Sequence, residues 1–239
     1  TQAALEVLKK GGNAADAVVA AQWVLNVAEP QISGLGGGGF FLFYDIGTQR
    51  ITLFDGTSQA PEEAFPEMFL DDHDRPYPFW PDQMSGGFPV GIPATLKLLQ
   101  DVQARFGSNK ISFESLFDPA IELAEKGVEV SGSLSSLIEK HQERLKLFDA
   151  TAKIFFKEGR PLKAGEMLVQ PELASTFRLI QKKGYKSFYD GEIAKIIVKT
   201  IREESFFPGL MTAKDLAKYQ ILERNPVYGR YQGYDIFSA

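Results

Sequence analysis

The sequence of 239 residues contains no cysteine, only two histidines and no long hydrophobic run. The absence of cysteine excludes disulfide bonds, thiolate metal ligands and a cysteine nucleophile. A membrane-spanning helix needs roughly 18 or more consecutive apolar residues. The most apolar stretch, residues 14–27, is shorter and is interrupted by Asp16, Gln22 and Asn26. The sequence therefore predicts no membrane span within these residues.

Positive charge is also scarce, with 26 lysines and arginines against 31 aspartates and glutamates and a formal net charge of −5. No basic run or basic helix is present, which argues against nucleic acid or an anionic membrane surface as a partner. Hydrophobic residues make up 44% of the chain and charged residues 24%. These proportions are typical of a globular protein with a sizeable core.

The most unusual stretch is a run of four glycines, residues 36–39, followed directly by an apolar, aromatic segment. Glycine loses more conformational entropy on folding than any other residue. A run of four therefore requires either unusual backbone angles or the close approach of another group. A phosphate-binding loop needs a strand before the glycines and a lysine and a helix after them. Here a predicted helix precedes the run and a strand follows it. We therefore expect close backbone packing beside a sheet, and no nucleotide or other cofactor.

Hydrophobic periodicity predicts helices through the middle of the chain and strands toward its ends. Asn13 and Thr212 have the residue type and position of helix N-caps, and Pro119 predicts a kink or split. Asp16 is expected to be a buried hydrogen-bond partner of the glycine run. Residues 62–89 are predicted to form a long, ordered surface loop. The predicted helices cover residues 1–10, 14–26, 93–106, 112–126, 133–148, 171–183, 188–204 and 213–219, and the predicted strands cover 39–45, 49–55 and a pair within 227–237.

A series of short blocks runs in order from the first helix to the last strands. The blocks include LKKGGNAADA at 8–17, SGLGGGG at 33–39, GIP at 91–93, DPAIELAEKG at 118–127, FYDG at 188–191 and MTAKDL at 211–216. Together they resemble the γ-glutamyltranspeptidase family. That resemblance implies an N-terminal nucleophile hydrolase fold of the mixed α/β class, an αββα sandwich completed by a small subunit cut from the same precursor. Residues 1–239 would then be the N-terminal part of the large subunit, a single domain that is incomplete without the rest of the precursor.

The resemblance also implies where the chemistry lies. The nucleophile of the family is the N-terminal threonine of the small subunit, whose α-amino group can act as its base. No catalytic residue is therefore expected in this chain. Thr1 lies ahead of a predicted helix, whereas the nucleophile of this fold opens a strand. The expected partners are the small subunit and a small-molecule γ-glutamyl or acyl-amide donor.

The loop at residues 55–61 is where the sequence departs from the family. The resemblance places an arginine and a glutamate two and three residues after Asp55, and the arginine holds the donor α-carboxylate with its bidentate fork. Those places hold Thr57 and Ser58, which we name as candidate substrate-binding residues although neither supplies a positive charge. One explanation is that Arg50, Arg75 or another arginine reaches the site. The other is a donor without an α-carboxylate there, such as a glutaryl or other acyl amide of the cephalosporin-acylase type.

The acidic segment Asp71-Asp72-His73-Asp74 is more typical of a solvated turn than of a metal site, so no bound metal is expected, and His141 is expected on an exposed helix face. The alternative to an enzyme is a non-catalytic relative that keeps the fold as a binding or structural protein. A threonine at the cleavage point and a cleaved precursor would distinguish the enzyme from that alternative.

Overall fold

Helices separate an N-terminal strand hairpin from the C-terminal strands in the computed structural model, which describes residues 1–204 and 208–239. The helices are α1 (Gln2–Lys9), α2 (Ala14–Ala28), α3 (Thr95–Phe106), α4 (Asp118–Lys126), α5 (Gly132–Lys140), α6 (Gln142–Leu145), α7 (Asp149–Phe155), α8 (Pro171–Lys183), α9 (Lys186–Tyr189), α10 (Glu192–Lys199) and α11 (Ala213–Lys218). The strands are β1 (Gly39–Asp45), β2 (Arg50–Gly56), β3 (Val128–Glu129), β4 (Phe156–Lys157), β5 (Arg160–Pro161), β6 (Met167–Leu168), β7 (Leu222–Arg224), β8 (Val227–Tyr231) and β9 (Tyr234–Ser238).

The sheet that carries the site has the strand order β1-β2-β7. Strands β1 and β2 form an antiparallel hairpin whose register runs from Gly39 opposite Gly56 to Asp45 opposite Arg50. Strand β7, which the sequence pattern did not reveal, extends the sheet by pairing antiparallel with β2. The chain therefore returns to the hairpin only after the whole helical region has been built.

The two faces of this sheet differ. Phe43 stacks on Phe106 of α3 at a centroid distance of 4.4 Å, so the face containing Phe43 is covered by helices. Side chains alternate between faces along a strand, and Phe40, Leu42 and Tyr44 on the other face are 54%, 42% and 54% exposed. Helices thus cover one face of the sheet, as the buried helix before the hairpin predicts, and leave the other open in this chain.

The core between the helices centres on Trp23 of α2, which is fully buried. Its ring stacks on Phe117 at 4.5 Å and meets Phe113 and Phe177 at 6.1 Å. Phe117 closes a short 3-10 turn, Glu114–Phe117, and α4 begins at the next residue with Pro119 in its first turn. The predicted split at Pro119 is confirmed.

Helix α2 begins at the predicted cap. The Asn13 side chain accepts hydrogen bonds from the amides of Ala15 and Asp16, at 3.0 and 3.1 Å. Asp16 is fully buried, and its Oδ2 accepts from the amides of Asn13 and Ser108, both at 3.0 Å. The expectation that Asp16 bonds to the glycine run was wrong, because its long-range partner is the loop that follows α3. Burial disfavours the carboxylate, but the hydrogen bonds from Ser108, Asn13 and Gln103 outweigh it and lower the pKa of Asp16.

Two predicted helices are interrupted. The helix predicted over 133–148 ends at His141, whose φ of −108° and ψ of 20° leave helical geometry. His141 lines an apolar cavity of about 280 Å³ with Leu134 and Ile138, so its placement on an exposed face was wrong. The helix predicted over 188–204 is broken before α10, where Gly191 is extended at φ −112° and ψ −149°.

The remaining predicted elements agree closely with the structure. Helix α8 begins at Pro171, and Thr212 caps α11 through a capping box with Asp215. Strands β8 and β9 are joined at Gln232 and Gly233, both with positive φ, as a tight hairpin turn requires. Among the residues that the structure describes, none of the helices combines the length and apolarity needed to cross a bilayer.

Candidate functional site

The glycine run is shaped by close packing rather than by unusual backbone angles. Its four residues lie outside the positive-φ region. A Cβ on Gly38 would lie 2.4 Å from the carbonyl oxygen of Gly56 and 3.1 Å from Cα of Thr57. The carbonyl of Gly37 accepts from the amides of Ala94 and Thr95 at 2.8 and 3.0 Å. The predicted close approach is confirmed at Gly38, which fits between the start of α3 and the end of β2, whereas a Cβ on Gly36 or Gly39 would meet no atom within 4 Å.

Thr57 is held by its own loop. Its hydroxyl donates to Oδ1 of Asp55 at 2.7 Å, and its amide donates to the same oxygen at 3.1 Å. The other carboxylate oxygen accepts from Nε of Arg224 at 2.6 Å. Asp55 is only 9% exposed, and the hydroxyl of Thr57, with help from Arg224, outweighs burial and lowers its pKa. The Thr57 side chain therefore completes the hydrogen bonding of the buried Asp55 carboxylate.

Tyr219, which follows α11, fixes the loop from the other side. Its hydroxyl donates to the carbonyl oxygen of Thr57 at 2.9 Å. Burial raises the pKa of Tyr219 to about 12, with a further contribution from Asp55. The phenol therefore remains protonated around neutral pH and keeps donating to the loop.

The arginine at this loop is one that the sequence analysis did not name. Arg50 lies at the opposite end of β2, about 23 Å from Thr57 at a rise of about 3.3 Å per residue. Arg75 is bound to Asp71 at 2.7 Å in an exposed turn. Arg224 reaches Asp55 because β7 pairs with β2, placing Arg224 opposite Leu53 on the face that Asp55 shares. Side chains alternate between the two faces along β7, and Glu223 pairs with Arg105 on the helical face. This alternation was the sequence signal that could have placed Arg224 on the face of Asp55.

Ser58 opens onto a cleft of about 540 Å³. Gly91 packs so closely on Ser58 that a Cβ there would lie 2.9 Å from the serine Cβ. The amide of Ile92 donates to the carbonyl of Gln59 at 2.8 Å and fixes the adjoining backbone. The structure thus brings Ser58, Gly36 of the glycine run and the proline-rich loop of residues 62–89 to one cleft. Its lining consists of Gly36, Ser58, Gln59, Ala60, Pro61, Ala64, Met68, Phe69, Phe88, Pro89, Val90 and Gly91.

The far side of the loop is anchored to α11. The amide of Glu62 donates to Oδ1 of Asp215 at 2.9 Å, while Oδ2 of Asp215 accepts from the Thr212 amide and hydroxyl at 2.8 and 2.6 Å. These hydrogen bonds outweigh burial and lower the pKa of Asp215. The helix cap and the end of the loop therefore share one carboxylate.

The other residues singled out by sequence lie away from this site. Thr1 precedes α1, where its carbonyl accepts from the amide of Leu5 at 3.1 Å. In the acidic turn, Asp71 accepts from the amide of His73 at 2.8 Å and from the guanidinium of Arg75. Within residues 1–204 and 208–239, no group of His, Asp and Glu side chains is arranged to hold a metal ion.

The sheet β1-β2-β7, covered by helices on one face, belongs to an α/β fold that the chain shares with N-terminal nucleophile hydrolases of known structure. The γ-glutamyltranspeptidase of Helicobacter pylori superposes with a TM-score of 0.92 at 33% identity, covering 99% of this chain and 66% of that chain. A cephalosporin acylase from Bacillus halodurans superposes with a TM-score of 0.83 at 27% identity, covering 99% of this chain and 43% of that one.

Sequence comparison makes the assignment specific. The family model described as Gamma-glutamyltranspeptidase matches residues 1–239, and the chain belongs to the γ-glutamyltranspeptidase family. A glutathione hydrolase proenzyme of Bacillus subtilis (strain 168) is 44% identical over 231 residues, which is 97% of this chain. The chain spans 38% of the length of that curated relative.

Proposed function

We propose that residues 1–239 are the N-terminal part of the large subunit of an acyl-transferring amidohydrolase made as a precursor. In this proposal the N-terminal threonine of the small subunit attacks the donor amide, with its own α-amino group as base. Backbone donors stabilise the oxyanion, and the acyl group passes to water or to an amine. The proenzyme name of the Bacillus subtilis relative supports a precursor of this kind. This chain contributes to donor recognition through the loop that carries Thr57 and Ser58, in which Thr57 holds the loop and Ser58 faces the cleft.

The observation that carries altered donor recognition is the bonding of Thr57. The Thr57 hydroxyl donates a hydrogen bond to Asp55 at 2.7 Å. The family resemblance places at position 57 an arginine that binds the donor α-carboxylate. Loss of a charge-assisted contact costs about 1.5–3 kcal/mol, on the order of tenfold to a few hundredfold in affinity. We therefore expect γ-glutamyl donors to be recognised weakly by this loop.

A cephalosporin-acylase-type function is the second candidate, favoured by the structural likeness to the Bacillus halodurans acylase. A glutaryl group keeps a terminal carboxylate where a γ-glutamyl group has its α-carboxylate, and lacks only the α-amino group. Replacement of the arginine by Thr57 therefore weakens recognition of glutaryl amides as well. An acylase with Thr57 at this position is therefore expected to prefer an acyl group without that carboxylate.

Expression of the complete, unaltered precursor tests both its cleavage and its hydrolysis of amides. We expect two bands on a denaturing gel, with threonine at the N-terminus of the smaller one, and slow hydrolysis of both γ-glutamyl- and glutaryl-p-nitroanilide. A precursor that stays uncut and turns over no amide would support the non-catalytic alternative. Turnover of the γ-glutamyl donor far faster than other acyl amides would show that the inference from Thr57 is wrong.

A further inference from the structure

We propose that the cleft beside Ser58 holds the acyl group of the donor and selects a neutral, apolar group, for which phenylacetyl serves as the probe. This inference rests on the proposed function, in which the loop at 55–61 recognises the donor. It goes further by naming the class of acyl group, which the loss of the arginine alone does not define.

The side chains that line the cleft carry no charge. The walls are formed by Met68, Phe69, Phe88 and Val90, and the rings of Phe69 and Phe88 meet edge to face at 6.3 Å. The cleft volume of about 540 Å³ is in the range of small-molecule sites, which are mostly apolar with a few placed polar groups. The hydroxyl of Ser58 provides such a neutral polar group at the rim.

The charges around the cleft disfavour an anion. Several cations on the segments next to the lining are paired with carboxylates, whereas Arg144 donates to the Ser85 hydroxyl and the Met84 carbonyl at 2.9 and 3.0 Å. The pairs are Lys214–Glu62 at 2.9 Å, Arg202–Glu63 at 3.3 Å, Arg75–Asp71 at 2.7 Å and Arg224–Asp55 at 2.6 Å. Glu67, Asp72 and Asp74 add further negative charge along the loop. A donor carboxylate would lose hydration against a lining that contains no charged side chain.

Gly36 indicates that part of the cleft is left open for a ligand. A Cβ on Gly36 would meet no atom of the chain within 4 Å, whereas one on Gly38 would collide with Gly56. Gly36 also lies outside the positive-φ region. Packing of this chain therefore explains the glycine at 38 but not the one at 36, which borders the cleft that we assign to the acyl group.

The first test compares acyl groups on one leaving group, using the mature two-subunit protein. We expect kcat/KM for phenylacetyl-p-nitroanilide to exceed that for glutaryl- and γ-glutamyl-p-nitroanilide at least tenfold. Faster turnover of either carboxylate-bearing donor would overturn this inference and leave the proposed amidohydrolase function intact. An uncut precursor inactive on every donor would overturn the proposed function and this inference with it.

The second test narrows the cleft. Gly36→Val is expected to raise KM for phenylacetyl-p-nitroanilide about tenfold, because its side chain would take part of the space assigned to the ring, and to change kcat/KM for acetyl-p-nitroanilide less than twofold. Gly39→Val is the matched control, since a Cβ there also meets nothing within 4 Å and Gly39 lies outside the lining. Equal effects of the two variants on the phenylacetyl donor would contradict the assignment.

The third test removes one wall. Phe69→Ala should raise KM for the phenylacetyl donor about fivefold to tenfold through loss of an aromatic contact, with little effect on the acetyl donor. Phe65→Ala removes a half-exposed ring from the same loop, outside the lining, and should leave both donors unchanged. An equal loss of turnover with both donors in Phe69→Ala would indicate a purely structural role and overturn the assignment of this wall.

Discussion

The role of Thr57 is decided by the carboxylate two residues before it. Asp55 is almost fully buried, and its two oxygens are shared between the Thr57 hydroxyl and amide on one side and Arg224 on the other. A buried carboxylate is tolerated when it is paired and fully hydrogen-bonded. Thr57 thus serves the loop itself, and the positive charge of Arg224 is already balanced by Asp55.

The hydrogen bonding of Thr57 leads to a prediction about donor recognition. Thr57→Arg should raise kcat/KM for γ-glutamyl-p-nitroanilide about tenfold or more, mainly through a lower KM, because it adds a bidentate cation at the loop. Thr57→Lys, which adds charge without the planar fork, should give a smaller rise. Thr57→Met controls for side-chain length and should give none.

Steady-state kinetics on the mature protein checks the Thr57 series. An unchanged KM in Thr57→Arg would mean that the donor carboxylate is held elsewhere. A rise of equal size in Thr57→Met would mean that bulk rather than charge governs the site.

Among the elements, α2 depends most on a single buried carboxylate. Asp16 joins the cap of α2 to the loop after α3 through two amide donors, those of Asn13 and Ser108. Its lowered pKa means that the folded state favours the ionised form. The resulting stabilisation is therefore complete above the ordinary pKa of 3.8 and is lost as the pH falls through the lower folded value.

We expect Asp16→Asn to lower the free energy of unfolding at pH 7 by about 1–3 kcal/mol, because an amide group replaces an acceptor that faces two donors. The difference from the natural protein should shrink as the pH falls below about 4. Urea unfolding of the complete protein at several pH values measures this. Glu172→Gln in the first turn of α8, where the side chain is exposed, is the control and should change stability by less than about 0.5 kcal/mol. A gap that stays constant with pH would contradict the role of the charge.

At the scale of the whole molecule, two apolar surfaces stand open. One is the outer face of β1, with Phe40, Leu42 and Tyr44, and the other is the β8–β9 hairpin, where Tyr231 and Tyr234 are 64% and 75% exposed. Contiguous apolar patches of this kind mark surfaces that pack against a partner. We propose that the rest of the precursor covers both.

This proposal predicts opposite behaviour for two exposed apolar side chains in the complete precursor. Leu42→Lys should destabilise it by about 2 kcal/mol or more, because the new charge becomes buried in the completed sandwich. Ile46→Lys, in the turn after β1 where Ile46 is 81% exposed, should be nearly neutral. Thermal unfolding measures both, and a neutral Leu42→Lys would show that this face stays open.

Much of the local structure could be predicted because its causes lie within a few residues. Asn13 and Thr212 cap their helices through side chains that reach the next turn, and Pro119 restricts the backbone at its own position. The interruptions at His141 and Gly191 escaped prediction, since the hydrophobic period continues across both. Breaks of this kind follow from packing against other parts of the chain.

The candidate site also has features that the sequence determines and features that only the tertiary structure decides. The order of the motifs and the replacement of an arginine by Thr57 are properties of the sequence alone, because they require only the identity and spacing of residues. Tertiary structure decided that Arg224, 169 residues from Asp55, completes its bonding. It also decided that Gly36, Ser58 and Phe69 line one cleft. Those contacts depend on β7 returning to β2 and on the proline-rich loop folding back over the glycine run, and no local pattern encodes either event.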